Sequence, residues 1–136
     1  MSALATDRNT LQKDGKLRSI PVAASKLIYA GAIVMVNSSG LAVPGVTATG
    51  LTPAGVADAR ADNSAGIASA INVKVKRGVF CFDNSASADA IAEKDIGATV
   101  YVVDDHTVAL TSASSTRSVA GSVYEVDADG VWVEFK

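Results

Sequence analysis

The sequence predicts an all-β fold: a small antiparallel β-barrel or sandwich of short strands and hairpins, with one short helix and an extended N-terminal arm. Three observations carry this. From Ile71 to Phe82, apolar Ile71, Val73 and Val75 alternate with Asn72, Lys74 and Lys76, and an apolar run follows Gly78. Such a period of two marks a strand with one buried and one wet face. Turn-forming clusters of Gly, Asp, Asn and Ser recur at close spacing between β-prone runs, the pattern of sequential hairpins. Finally, hydrophobic residues make up 49% of the 136, yet aromatics only 5%. A core drawn mainly from Val and Ala suits sheets better than helices.

Taken in order, residues 1–19 read as an extended arm and residues 20–136 as a single β domain. The arm spreads Asp7, Arg8, Lys13, Asp14, Lys16 and Arg18 among a few apolar anchors, Leu4, Leu11 and Leu17. Gly15 interrupts any helix before it could become stable. Ile20 to Ala24 is a short extended piece that Pro21 confines to an edge or a strand start. Two apolar runs, Leu27 to Gly31 and Ala32 to Asn37, lead through Ser38-Ser39-Gly40 into Leu41-Ala42-Val43, a hairpin. Pro44 to Pro53 reads as a loop, Gly55 to Arg60 as a strand, and Asp62 to Gly66 as turn chemistry. Next comes the run ending at Phe82, in which Gly78 marks a bend, expected at a barrel corner. Ser87 to Lys94 is the one expected helix, capped by Ser87 or Asp89. Thr99 to Val103 and Thr107 to Leu110 flank an Asp104-Asp105-His106 hairpin turn. After a Ser/Thr-rich surface loop, Gly121 to Val126 and Val131 to Phe135 flank Asp127-Ala128-Asp129-Gly130. The total is about eight to ten short strands, the signature of a barrel or sandwich.

Composition also excludes function classes. A formal charge of −2 supplies no field for nucleic acid. One cysteine makes no internal disulfide and no cysteine-based metal cluster. There is no signal-peptide pattern and no apolar run long enough for a spanning helix, so no membrane partner is expected and an intracellular or lysis-released product is.

Constellations that resemble chemistry have simpler structural readings. Asp104, Asp105 and His106 could ligate a metal, but Asp is favoured at a hairpin tip because it bonds its own backbone. Asp127 to Gly130 resembles the opening of a calcium loop that lacks its later ligands. His106 is the single histidine, and no Gly-x-Ser-x-Gly elbow accompanies it. Cys81, between Phe80 and Phe82, reads as a small buried hydrophobe. Lys74, Lys76 and Arg77 form a basic row on the wet face, either solvated or a secondary contact to an acidic partner surface. No catalytic residue, metal ligand or cofactor site is expected, and the chain reads as a non-enzyme.

The run Val73-Lys-Val-Lys-Arg-Gly-Val-Phe80, the segment Asp95-Ile-Gly-Ala-Thr-Val-Tyr-Val-Val-Asp-Asp105 and the ending Arg117-Ser-Val-Ala-Gly121 … Gly130-Val-Trp-Val133 resemble capsid cement, or head decoration, proteins of tailed bacteriophages. Ala3-Leu-Ala-Thr-Asp-Arg-Asn-Thr10 and Tyr29-Ala-Gly-Ala32 are similar to that family as well, so the resemblance spans nearly the whole chain. It implies a structural protein made in the host cytoplasm that binds the outer surface of the phage head. There it would bridge neighbouring capsomers and stabilise the expanded capsid. The implied partner is the major capsid protein, met by the arm through Leu4, Arg8, Leu11, Lys13, Leu17 and Arg18. Multivalent attachment favours a homo-oligomer, a trimer before a dimer. The alternative is a carbohydrate- or host-surface-binding β module displayed on the virion through Tyr124 and Trp132. A small hydrolase is a distant third.

Overall fold

The computed structural model describes residues 2–136, and among these the chain forms twelve strands and no α-helix. In chain order they are β1 (Leu17–Pro21), β2 (Lys26–Ile28), β3 (Ile33–Val36), β4 (Ala42–Pro44), β5 (Thr52–Ala57) and β6 (Ala61–Asn63). The second half supplies β7 (Asn72–Lys76), β8 (Gly78–Phe82), β9 (Thr99–Val102), β10 (Val108–Ala109), β11 (Val119–Asp127) and β12 (Gly130–Phe135). One five-stranded sheet has the order β1-β7-β5-β3-β4, a second the order β10-β9-β11-β12-β8, and β2 pairs with β6. All ladders between these strands are antiparallel.

The architecture is a sandwich rather than a closed barrel. Each large sheet curls until its edges nearly meet, but only single bridges join them, Val22 to Ala42 in the first and Asp83 to Thr107 in the second. The layering explains why β3 reads Ile-Val-Met-Val without alternation. Ile33 and Met35 enter the core between the sheets with Val100, Val131, Val133 and Phe135. Val34 faces the other way, into a second core with Ile20, Val22, Ile28, Val73 and Val75. A strand buried on both faces has no wet side to mark with polar residues. Each such side chain contributes about 1.5–3 kcal/mol on burial.

The hairpins fall where the turn residues place them. Asn37 caps the β3–β4 turn, its Oδ1 accepting the N–H groups of Ser39 and Leu41. Asp127 accepts the N–H of Asp129 through Oδ1, and Gly130, at φ +143°, closes the β11–β12 hairpin. Along β12, Val131, Val133 and Phe135 are buried while Trp132 and Glu134 face out.

Three expectations need correction. The helix expected from Ser87 to Lys94 is two separate 3-10 turns, Ser87–Asp89 and Glu93–Asp95, and neither Ser87 nor Asp89 caps it. Between the turns the chain is extended at Ala90, and Ile91 is drawn into the core. Asn84 clamps Ile91 there, its Oδ1 accepting the Ile91 N–H (2.9 Å) and its Nδ2 donating to the Ile91 carbonyl (2.8 Å). Second, the run from Ile71 to Phe82 is two strands in different sheets. β7 lies inside the first sheet, while β8 is an edge of the second. Gly78, at φ +147°, takes the chain across from one sheet to the other. Third, Cys81 is only half-buried, because its strand is an edge and its side chain points outward.

Candidate partner-binding surface

Residues 2–16 carry no strand or helix, and their side chains are exposed. Leu4 and Leu11 are 74% and 90% exposed. Arg8 and Lys13 lie in the same segment and join no ion pair among the described residues. Regular structure begins at Leu17, so Leu17, Arg18 and Ser19 form the start of β1 within the stretch assigned to the arm.

Strand β1 joins the base of the arm to the basic row. Its register sets Leu17 opposite Lys76, Arg18 opposite Val75 and Ser19 opposite Lys74. The Arg77 N–H extends the ladder by donating to the Lys16 carbonyl (2.9 Å). Lys16, Lys76 and Arg77 lie with Asp14 beside the exposed Leu17, and Lys74 stands further along β7, opposite Ser19. Lys74 and Lys76 alternate with buried Val73 and Val75 along β7, as the period-two pattern requires. Lys76 pairs with Asp58 at 3.5 Å and lies 5.7 Å from the Phe80 ring centroid. Both partners of that ion pair are well exposed, so the link contributes at most about 1 kcal/mol. Arg18 points elsewhere, to a shallow groove of about 410 Å3 with Pro21, Val36 and Thr52.

Where the chain crosses between sheets, Leu17, Lys76, Gly78, Val79 and Phe80 line a mostly apolar groove of about 580 Å3. The arm departs from its wall, at Asp14 and Lys16. On the other side of Val79 a depression of about 350 Å3 is bordered by Tyr124, Glu125 and Trp132. The Trp132 indole is held by its Nε1–H, which donates to Asp127 Oδ2 at 3.0 Å. Alternation along β12 placed Trp132 outward. Tyr124, beside buried Val123, is exposed as the carbohydrate-binding alternative expects, and β11 bulges between Val123 and Glu125.

At the β9–β10 tip, Asp104, Asp105 and His106 bring potential ligand atoms within 4.8 Å of one another. The local bonds are those of a turn: the His106 N–H donates to Asp104 Oδ1 (2.9 Å), and His106 Nδ1 lies 2.9 Å from Asp105 Oδ1. Asp83 Oδ2 lies 4.0 Å from the other ring nitrogen. The hydrogen bond to Asp105, with the charges of Asp104 and Asp83 nearby, raises the imidazole above its ordinary value. Across the sheet, partial burial and then Asp127, Asp129 and Asp83 push the Cys81 thiol up, which keeps it protonated and a poor nucleophile.

Comparisons of the chain with protein-family models, with curated proteins and with solved structures find no match.

Proposed function

We propose that the chain, a polar arm standing off a β sandwich, is a structural binding protein, a cement for the outer surface of a tailed-phage head. One observation carries the reading. The arm leaves the sandwich beside an apolar groove and a cluster of cations, while its own Leu4 and Leu11 lie exposed. Each leucine offers about 1.5–3 kcal/mol on a partner, whereas ordering the backbone costs about 1–2 kcal/mol per residue. Strand pairing with the major capsid protein, and ion pairs from Arg8 and Lys13 to an acidic capsid surface, must therefore supply the remainder. Several arms tethered in one oligomer would act at high effective concentration and bridge neighbouring capsomers. Nothing in this role requires catalysis or a cofactor.

The test is deletion of residues 1–13, which spares β1 and its ladder to β7. The truncated protein should remain folded but fail to decorate expanded heads, and undecorated heads should rupture at lower temperature. Full occupancy by the truncated protein would refute the arm as the grip.

The depression beside Tyr124 and Trp132 favours one second reading, a surface-displayed carbohydrate-binding module. A pinned indole with a flanking carboxylate is suited to a sugar face. In the same particles, Trp132→Ala should leave decoration and rupture temperature unchanged under the cement reading. Loss of host adsorption with decoration intact would favour the carbohydrate reading instead.

A further inference from the structure

Strand β8 is the open edge of the second sheet, and its outward backbone groups can be identified. N–H and C=O groups alternate in direction along a strand. The carbonyl of Phe82 faces β12, since a side chain at Gly130 would run into it. The register of Phe82 with Val131, Phe80 with Val133 and Gly78 with Phe135 turns all three toward β12. Asp83 faces the opposite way, its N–H donating to the His106 carbonyl (2.9 Å) and its carbonyl accepting from the Val108 N–H (3.0 Å). Val79 and Cys81 share the direction of Asp83, and no described residue of the chain pairs with their outward N–H and C=O groups. No proline or bulge blunts this edge, and its side chains are apolar, the kind of edge that is normally covered.

The two ends of β8 carry opposite charge. Lys16, Lys76 and Arg77, outnumbering the single Asp14, surround the Gly78 end, and Asp83, Asp127 and Asp129 surround the Cys81 end. Arg77 and Asp129 join no ion pair among the described residues. A strand laid antiparallel against its own copy brings unlike ends together. With Phe80 on the twofold axis, Val79 of each copy lies opposite Cys81 of the other, which are the residues with outward backbone groups. We propose that this chain forms a twofold dimer by antiparallel pairing of β8 with β8 of a second copy, joining two five-stranded sheets into one of ten.

The pairing is confined to residues 78–82. Beyond Phe82 the outer side is occupied by the chain's own residues 106–108, and before Gly78 the chain crosses to the other sheet. Within that span the second strand would enter the groove beside Leu17, which is 61% exposed, and cover Val79 and Phe80. The contact is isologous, so it closes on itself and selects a dimer over the expected trimer. A ladder this short makes a small interface, and small interfaces exchange. This inference does not depend on the capsid reading, since it requires only a second copy.

Sedimentation equilibrium of the full chain tests it. The mass should rise from monomer to dimer with concentration, and a monomer persisting to about 1 mM, where even a millimolar contact registers, overturns it. A trimer overturns it as well. Val79→Pro removes only an outward donor and should leave a folded monomer; an unchanged dimer refutes β8 as the contact. Should Val79→Pro fail to fold, charge variants decide. Arg77→Glu and Asp129→Lys should each weaken the dimer by about tenfold, from two symmetry-related surface pairs. The two combined in one chain should restore it, and no rescue refutes the antiparallel register. Deleting residues 1–13 should leave the dimer intact; its loss would make the arm of a second copy the occupant of this edge.

Discussion

Substituting Gly78 tests how the chain passes between sheets. At φ +147° it occupies a region closed to residues with a side chain, and such strain costs about 1–3 kcal/mol. The space around it is open. A Cβ would meet the Phe80 Cζ at 3.6 Å, an ordinary contact, so steric clash adds nothing and the backbone alone sets the cost. Reduced freedom of the unfolded chain would recover about 0.4–1 kcal/mol only where the native conformation suits the new residue, which is not the case here. Gly78→Ala should therefore destabilise by about 1–3 kcal/mol, and Gly78→Val by at least as much because its χ1 is stiffer. Gly55 provides the contrast. It has a similar φ of +143°, but a Cβ there would collide with the Lys76 carbonyl, so Gly55→Ala should cost more. Urea unfolding followed by fluorescence of the single Trp132 measures both. With a slope of about 1–3 kcal/mol per M, Gly78→Ala should lower the midpoint by roughly 1 M at unchanged slope. An unchanged midpoint, or equal losses at Gly78 and Gly55, would refute the reasoning.

Two further outcomes follow from single side chains. Because the carboxylates around His106 raise its folded pKa, its contribution to stability is fully present below about pH 6.5. That contribution is lost as pH rises through the raised value. His106→Gln should remove this small step, and an NMR titration midpoint at or below the ordinary imidazole value would contradict the sign. Asn63 is 3% exposed, and its Nδ2 donates to the carbonyls of Ala23 (3.0 Å) and Ile67 (2.9 Å). Asn63→Leu should cost about 1–3 kcal/mol by leaving the Ala23 carbonyl unpaired, the Ile67 carbonyl keeping the Ala70 N–H (3.2 Å), whereas a thermal midpoint like that of the parent would mean water replaces the amide.

Local chemistry was legible in the residues themselves. Alternation assigned the faces of β7 and β12, because a strand's side chains answer to a period of two whatever lies across from them. Gly40, Asp127 and Gly130 specified their turns, because those preferences arise within a few bonds, whereas the Asn37 cap emerged only in the structure. Leu4 and Leu11 among charges build no core, and residues 2–16 carry no strand or helix. What only the tertiary structure decided are matters of partnership. Gly78 signals a bend within residues 71–82, but nothing local says that its two sides belong to different sheets, because Val75 and Phe82 are equally apolar and differ only in the core that receives them. Recruitment of Leu17 into β1 depends on β7, a strand more than fifty residues away. The helix expected after Phe82 is broken because burying Ile91 outweighs the weak propensity of one or two turns. The exposed edge at Val79 and Cys81 arises in the same way. An edge is defined by the strand that is missing beside it, and that is a property of the assembled sheet rather than of the segment.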